Sequence, residues 1–223
     1  MAHDLPDPPD PEIAARSAAV VIAGHRCQID DVTAALTDDA ALVREAAINA
    51  LVRIDPRTGR AAVEAALADL DPRVRRRAAE LSVPVETDPS SLLDDPDPSV
   101  VEVAAFACGE HDWSALDRPA PIESLAKIAT GHADALCRES AAAALGAIGD
   151  PAGLPAVLTA CTDRVTVRRR AVLALAAFED ERADAALQAA LTDKDWQVRQ
   201  AAEDLLEVGR TLESPEEPTA YAD

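Results

Sequence analysis

Aromatic side chains and lysine are scarce in this sequence. Aromatic residues make up 2% of the 223 residues, and only Lys127 and Lys194 are lysines, so arginine supplies almost all of the positive charge. The formal net charge is −20. Such a field repels phosphate backbones, and single-stranded nucleic acid needs a basic groove with stacking aromatics. The sequence therefore predicts no nucleic-acid binding.

Long apolar runs and paired cysteines are also missing. The run from Ala18 to Ala23 is too short for a membrane span, which needs about 20 apolar residues, and it lacks the flanks of a signal peptide. The four cysteines form no C-x-x-C pair and have no histidine at ligand spacing; they are Cys27, Cys108, Cys137 and Cys161. We expect no membrane association, metal, cofactor or disulfide framework, and a reducing cytoplasm as the location.

The acidic balance has two interpretations. The sequence pI is about 4.4, and aspartate outnumbers glutamate. This composition resembles that of cytosolic proteins from extreme halophiles, in which acidic surfaces accompany solubility in concentrated salt. It is equally compatible with an ordinary solubilising surface.

One helical motif occurs six times. Its clearest copy is C-R-E-S-A-A-A-A-L-G, from Cys137 to Gly146, and the other copies begin at Val43, Val74, Val100, Val167 and Val198. The starts are separated by 31, 26, 37, 30 and 31 residues. A period of this length is typical of stacked supersecondary units, here pairs of helices.

The motif predicts a buried stripe on one helical face. Its fifth position is always alanine, and its ninth is mostly apolar; the alanines are Ala47, Ala78, Ala104, Ala141, Ala171 and Ala202. Positions one, five and nine share a face, so the helix is amphipathic. An aspartate near each helix start is interpreted as a cap; these are Asp39, Asp71, Asp97, Asp134, Asp163 and Asp195.

Shorter amphipathic segments between the motifs supply the other helix of each pair. We predict an all-α solenoid of about six helix pairs over residues 12–208, with a capping half-repeat at 12–25. An acidic, proline-rich segment (1–11) precedes it, and a disordered acidic tail (209–223) follows. The rhythm breaks twice, at 84–98, with room only for a helical stub at Ser91–Leu93, and at the insertion 109–121.

Two sequence patterns carry a family resemblance. D-P-x-V-R at Asp71–Arg75 and A-L-G-A-I-G-D at Ala144–Asp150, with the recurrent alanine, resemble HEAT-like repeats of the phycobilisome-lyase type. The similarity spans Ala15 to Glu207. It implies an α-solenoid, whereas its implications for function are broad, because such relatives include chromophore-lyase subunits, an iron-dependent hydroxylase and many adaptors.

The hydroxylase branch can be tested by residues. Deoxyhypusine hydroxylase resembles this motif but carries His-Glu at the third and fourth positions to hold two irons. Here none of the six third positions is histidine; they are Glu45, Arg76, Glu102, Glu139, Arg169 and Gln200. The sequence excludes that iron site, while the chromophore-lyase branch has no compact motif to transfer and stays open.

Arginines are the candidate binding residues. One follows the start of five motifs, at Arg44, Arg75, Arg138, Arg168 and Arg199, and we interpret this series as a ladder to cap aspartates of the same or the adjacent repeat. Two motifs carry arginines that such a ladder does not need: Arg73, Arg76 and Arg77 in one, and Arg164, Arg169 and Arg170 in the other. We expect these six to bind an acidic partner, unless they neutralise nearby carboxylates.

The insertion holds a further candidate. Glu110, His111, Asp112 and Trp113 are adjacent, but no nucleophile or phosphate cradle accompanies them. We expect a solvated loop, with Trp113 as a candidate partner contact. The function predicted is a non-enzymatic scaffold or adaptor that binds another protein. The alternative is an accessory or regulatory subunit of an enzyme complex, including a chromophore-lyase-like subunit.

Overall fold

In the computed structural model, the described residues 10–213, with side chains to 208, form helices and no strands. The α-helices are α1 (Pro11–His25), α2 (Ile29–Ala34), α3 (Ala41–Ile54), α4 (Pro56–Ala66), α5 (Pro72–Ser82), α6 (Pro98–Glu110), α7 (Ile122–Gly131), α8 (Ala135–Ile148), α9 (Leu154–Ala160), α10 (Val165–Ala174), α11 (Glu181–Ala190) and α12 (Trp196–Glu213). Short 3₁₀ turns lie at Ala35–Thr37, Ser90–Asp94, Pro151–Gly153 and Leu175–Ala177. The predicted fold class, an all-α solenoid, is confirmed.

The described part of the chain divides into two compact units, with the boundary between Ala120 and Pro121. In the first unit α1 packs on α3, α3 on α5, and α5 on α6. In the second, α8 packs on α10 and α10 on α12, while α7, α9 and α11 lie beside them. Three copies of the motif lie in each unit, on α3, α5 and α6 of the first and on α8, α10 and α12 of the second.

The first predicted break and the predicted C-terminal end of the array have distinct outcomes. The stub predicted at Ser91–Leu93 is the 3₁₀ turn Ser90–Asp94, which takes the place of a first helix before α6. At the C-terminal end, α12 continues to Glu213, beyond residue 208 where the array was expected to end. Two predicted segments lie outside the described residues: the remainder of the tail (214–223) and most of the N-terminal segment (1–9). That residues 12–208 form a single array stays a prediction.

The predicted helix register is confirmed by burial. The residues at the first motif position are at most 1% exposed, and all six alanines at the fifth position are 0% exposed. Close approach of neighbouring helices demands small residues here. Gly146 shows the same constraint, because a Cβ atom added there would lie 2.5 Å from the Cβ of Ala174.

Most of the predicted caps hold the helix starts. The carboxylates of Asp71, Asp97, Asp134 and Asp195 each accept the backbone N–H two residues further on. Helices α3 and α10 differ, since Asp39 and Asp163 precede the capping residues Ala40 and Arg164. For α3, the carboxylate of Asp38 accepts the N–H of Ala40 instead.

Candidate functional site

The arginines at the second motif position form a ladder of bidentate ion pairs within each unit. Each guanidinium donates through Nε and Nη2 to one aspartate. That aspartate lies just before the motif-bearing helix of the next repeat. The pairs are Arg44–Asp69, Arg75–Asp95, Arg138–Asp163 and Arg168–Asp193, with the closest contacts between 2.6 and 2.9 Å. The arginine side chains are only 8–16% exposed. These four arginines are structural.

A third donor of each arginine holds its own helix start. Nη1 of Arg75 donates to the carbonyl oxygens of Asp69 and Leu70, and Nη1 of Arg138 to those of His132 and Ala133. One guanidinium thus fixes a turn in its own repeat and a carboxylate in the next. The predicted ladder is present.

Three of its four acceptors differ from the prediction, which assigned them to the cap aspartates. Asp69, Asp95 and Asp193 lie two residues before the caps Asp71, Asp97 and Asp195. The cap carboxylates are occupied by the first N–H groups of their own helices, so the upstream aspartate remains for the arginine. The upstream aspartate also accepts the N–H of the cap residue, at 2.8–2.9 Å.

Ion pairing keeps the ladder aspartates ionised to lower pH. The hydrogen bond from Arg44 holds the pKa of Asp69 below its usual value, although partial burial opposes this. Arg138 and Arg168 lower the pKa values of Asp163 and Asp193 in the same way. The bond to Asp193 in turn raises the pKa of Arg168.

The ladder positions are not all filled. In α6 the arginine position holds Val101, and before α8 the aspartate position holds His132. Nδ1 of His132 accepts the N–H of Asp134 at 3.1 Å, so the ring replaces the aspartate in holding the turn. At the end of the second unit, Nη1 of Arg199 donates to the carbonyl oxygen of Asp193, but no carboxylate within residues 10–208 pairs with it.

On α5 the additional arginines are more exposed than the ladder arginines. The Arg73 side chain is exposed and makes no hydrogen bond or ion pair with any described residue. Arg76 is 51% exposed, and its guanidinium lies 3.5 Å from a carboxylate oxygen of Glu80. Arg77 is held more firmly, because it donates to Glu80 and, at 2.7 Å, to the side chain of Asn49 on α3.

Helix α10 repeats this arrangement in the second unit. The Arg164 side chain is exposed and without a hydrogen-bond or ion-pair partner in the part of the chain that the structure describes. Arg169 donates to the side chain of Gln197 at 3.0 Å, and Arg170, 45% exposed, lies 3.6 Å from Glu139 on α8. Among the six predicted arginines, Arg77 is therefore the one most committed to contacts within the fold.

Trp113 does not lie where the prediction expected a contact residue. It is 8% exposed, and its indole N–H donates to the carbonyl oxygen of Cys108 at 2.9 Å. Arg118 pairs with Asp88, so the insertion is tied to the preceding segment instead of forming an open loop. An indole with a satisfied N–H is a favourable core residue, so Trp113 serves packing and is not available as a partner contact.

The insertion also brings a serine and a histidine together. Nε2 of His111 lies 3.1 Å from Oγ of Ser82, and that hydroxyl donates its only proton to the carbonyl oxygen of Ala79 at 2.8 Å. The imidazole must therefore donate to the serine, which is the reverse of a base that activates a nucleophile. Burial lowers the pKa of His111, which favours the neutral ring, while Asp88 and Glu86 oppose the shift.

Two of the four cysteines are buried packing residues, whereas Cys27 is exposed and Cys161 is partly buried. Cys108 and Cys137 are 0% exposed. Burial raises the pKa of Cys108 to about 12 and that of Cys161 to about 11, so both thiols stay protonated at neutral pH. Among the described residues, no group of three or more His, Cys, Asp or Glu side chains is placed to hold a metal ion. No helix in that part of the chain has the length and apolar character to cross a membrane.

Sequence reasoning missed a shallow, mostly alanine-lined cleft beside one of the arginines. It lies between α8 and α10, has a volume of about 420 Å³, and is lined by Gly146, Arg170, Leu173 and several alanines. Leu173 is 42% exposed. Gly146 was the available signal, because a glycine inside a helical motif indicates a close helix–helix approach.

The repeat family and the structural relatives agree with this geometry of stacked helix pairs. A family model described as HEAT repeats matches residues 90–166 and 122–207, together just over half of the chain. The chain belongs to the HEAT-repeat family. Among curated proteins, none matches it significantly in sequence.

Two solved structures of low sequence identity show the same fold. YibA of Escherichia coli is 20% identical, with a TM-score of 0.65 over 89% of this chain and 78% of that protein. An engineered protein is also 20% identical, with a TM-score of 0.61 over 82% of this chain and 97% of its own. Human deoxyhypusine hydroxylase is 18% identical over 89% and 96% of the two chains, but its TM-score is only 0.38.

Proposed function

We propose that this HEAT-repeat protein is a non-enzymatic scaffold that binds a negatively charged protein through the exposed arginines of α5 and α10. The observation that carries this proposal is the contrast between two classes of arginine. Ladder arginines are at most 16% exposed and bidentately paired, whereas Arg76 and Arg170 are 51% and 45% exposed and each makes one longer ion pair, at 3.5 and 3.6 Å. Arg73 and Arg164 have no hydrogen-bond or ion-pair partner among the described residues.

Electrostatics favours a carboxylate-bearing partner. The chain has a net charge of −20, so exposed arginines without a bidentate carboxylate partner stand out, and each presents a fork that fits a carboxylate bidentately. The pairs with Glu80 and Glu139 are long enough to exchange for a partner's carboxylate at little cost, since exposed ion pairs contribute about 0–1 kcal/mol. Electrostatic attraction to these patches would act mainly on the association rate.

The cleft between α8 and α10 supplies an apolar component next to Arg170. A partner that places a carboxylate on Arg170 can bury an aliphatic side chain against Leu173. Nucleic acid is the less suitable ligand, because stacking aromatics are scarce and the overall charge is negative. Membranes and cofactors are not part of the proposal.

We also propose a subfamily for this chain within the HEAT-repeat family. The patterns D-P-x-V-R and A-L-G-A-I-G-D support a phycobilisome-lyase-type HEAT-like repeat. In that case the partner would be an enzyme, and the chain an accessory or regulatory subunit, including one of a chromophore lyase. We propose the cytoplasm as its location, in keeping with its unpaired Cys27 and Cys161.

Charge reversal tests the proposal. Tagged wild-type protein and the double variants Arg73→Glu/Arg76→Glu and Arg164→Glu/Arg170→Glu are used to capture partners from native extract at native salt. We expect the double variants to lose a captured protein that the wild type retains, with melting curves unchanged. Arg57→Glu on α4 is the matched control, because Arg57 is exposed and lies outside both arginine groups.

Two results would count against it. Equal capture by all variants would show that these arginines are solvated surface residues that do not bind the partner. A melting temperature that falls in the double variants but not in Arg57→Glu would show that these arginines stabilise the fold. If the captured protein is an enzyme whose activity changes on binding, the accessory-subunit alternative replaces the simple scaffold.

A further inference from the structure

Helix α1 has an outer face that carries no charge along its middle. Between residues 13 and 24, all the exposed residues are apolar: Ala15, Ala18, Ala19, Val21 and Ile22. Val21 is 42% and Ile22 50% exposed. Helix α11 is a contrast, because its exposed positions include Glu181, Arg182 and Asp184. In a chain with 28% charged residues, an uncharged helix face indicates a surface that becomes covered.

Two residues of this face correspond to the most deeply buried positions of the repeat. Arg16 pairs with Asp38 and Asp39 from the second motif position, which places Ala15 and Ala19 at the first and fifth. In the six complete motifs these positions are at most 1% exposed. The opposite side of α1, with Val20, Ala23 and Gly24, is the side that packs within the first unit.

Charges flank the apolar face at its two ends, with opposite sign. Asp10 and Glu12 lie at the N-terminal end of α1, and His25 and Arg26 at the C-terminal end. Four of these residues, Ala15, Ala18, Ala19 and Ile22, are spaced symmetrically about the point between Ala18 and Ala19. Val21 is the exception, because the equivalent position in the symmetric pair is Arg16. In an antiparallel pair of identical helices centred there, Ala18 faces Ala19 of the second helix and Ala15 faces Ile22.

The same alignment places the acidic first turn of each helix against the basic end of the other. Glu12 then lies beside His25 and Arg26 of the second copy, twice by symmetry. The two helix dipoles also oppose each other favourably. A two-fold axis requires this kind of self-complementary surface, and alanines at the centre allow the helices to approach to about 8 Å.

We propose that the outer face of α1 is a homodimer interface, in which two copies of this chain pack α1 against α1 in antiparallel orientation. One helix of 15 residues gives a small contact, so the dimer is weak, with a dissociation constant on the order of 100 µM. The net charge of −20 on each copy opposes association in dilute buffer. Added salt screens this repulsion over distances beyond the Debye length while sparing charges in contact.

Sedimentation equilibrium of the full chain tests the dimer at an ionic strength of about 0.15 M, which screens the net-charge repulsion while charges in contact are screened less. Circular dichroism first confirms the complete fold under this condition. The variants are Glu12→Arg and Arg26→Glu, measured separately and mixed one to one. Each variant alone places like charges together twice, and we expect the dissociation constant to rise at least about tenfold.

The mixture restores both charge contacts. At one end of the helix pair, the arginine introduced at position 12 of the first variant meets the glutamate introduced at position 26 of the second. At the other end, the unchanged Arg26 of the first variant meets the unchanged Glu12 of the second. Both contacts are attractive, so we expect association to return to the wild-type level.

Two further variants complete the design. Ala19→Glu places a charge at the centre of the face and should abolish the dimer without lowering the melting temperature. Arg57→Glu makes the same charge change as Arg26→Glu outside α1 and should leave the dissociation constant unchanged.

The proposal has clear contrary outcomes. A wild-type protein that stays monomeric to millimolar concentration overturns it, whether another segment of the chain or a different partner covers α1. A wild-type dimer whose charge variants fail to recover on mixing overturns the antiparallel alignment.

Discussion

Arg168 of α10 binds the carboxylate of Asp193 through both Nε and Nη2, at 3.0 and 2.9 Å, and its Nη1 donates to the carbonyl oxygen of Asp163 at 2.8 Å. One side chain that is 8% exposed therefore connects the start of its own helix to the loop before α12. Removing one partner of such a pair leaves a buried charge and open backbone acceptors.

We expect Arg168→Ala to lower the free energy of unfolding by about 3 kcal/mol, within the range for breaking a largely buried ion pair. Arg168→Lys should recover only part of the loss, because an ammonium cannot replace the bidentate fork. Urea denaturation measures both. Arg199→Ala is the control, since Arg199 has no carboxylate partner among the described residues, and a loss there as large as in Arg168→Ala would contradict the ladder's role.

Glycine-to-alanine substitutions should have opposite effects at two helical sites. At Gly146 the new Cβ would lie 2.5 Å from Cβ and 2.7 Å from Cα of Ala174, so we expect a loss of about 1–3 kcal/mol by overpacking. At Gly131, the last residue of α7, no atom lies within 4 Å of the added Cβ. There we expect no loss, and up to about 1 kcal/mol gained from helix propensity. Equal melting temperatures for both variants would contradict the close α8–α10 approach.

The alanines at the fifth motif position should tolerate no larger side chain. Ala141 and Ala171 are 0% exposed, so Ala141→Leu or Ala171→Leu should cost about 1–3 kcal/mol. Ala185→Leu on the exposed side of α11 is the matched control and should change stability little. Thermal unfolding followed by circular dichroism compares the three. An unchanged melting temperature in both core variants would disprove their packing role.

Acid should weaken the ladder in a defined pH window. The pKa values of Asp69, Asp163 and Asp193 are lowered in the fold by their arginines, so the unfolded chain binds protons first as pH falls. The stabilisation is complete above the unfolded value of about 3.9 and is lost as pH falls through the lower folded values. Unfolding free energy measured from pH 6 to pH 2 should fall less steeply in Arg168→Ala than in the wild type. Parallel curves would disprove this contribution.

Salt should stabilise the fold. A net charge of −20 on 223 residues repels itself, and screening reduces that repulsion. We expect a higher melting temperature in molar potassium chloride than in dilute buffer. Equal melting temperatures in the two conditions would remove the halophile interpretation while leaving the fold untouched. Repeating the measurement in potassium sulfate at equal ionic strength separates screening from general salt effects on apolar burial.

Much of the fold could be predicted from the sequence because six copies of one motif show a common pattern of apolar and small residues. A single copy would leave the helix register ambiguous. Six copies of one motif fix the register of Ala141 and its equivalents more firmly than any single helix could. The 3₁₀ stub near Leu92 was also predictable, because Pro84–Pro98 leaves no room for a full helix. The acceptors of the ladder were not, since both Asp69 and Asp71 lie within reach of an arginine in sequence terms.

The helix pairs, the buried stripe and the charge follow from the amino-acid sequence alone, because periodicity, small residues and composition act locally or as sums over the chain. Which arginines are available for a partner depends instead on the packed structure. Arg75 and Arg76 are neighbours, yet the first is 14% exposed and paired with Asp95, and the second is 51% exposed. The helix turns by about 100° per residue, so the two side chains point in different directions. The position of the next repeat places a carboxylate beside Arg75 and leaves Arg76 exposed to solvent.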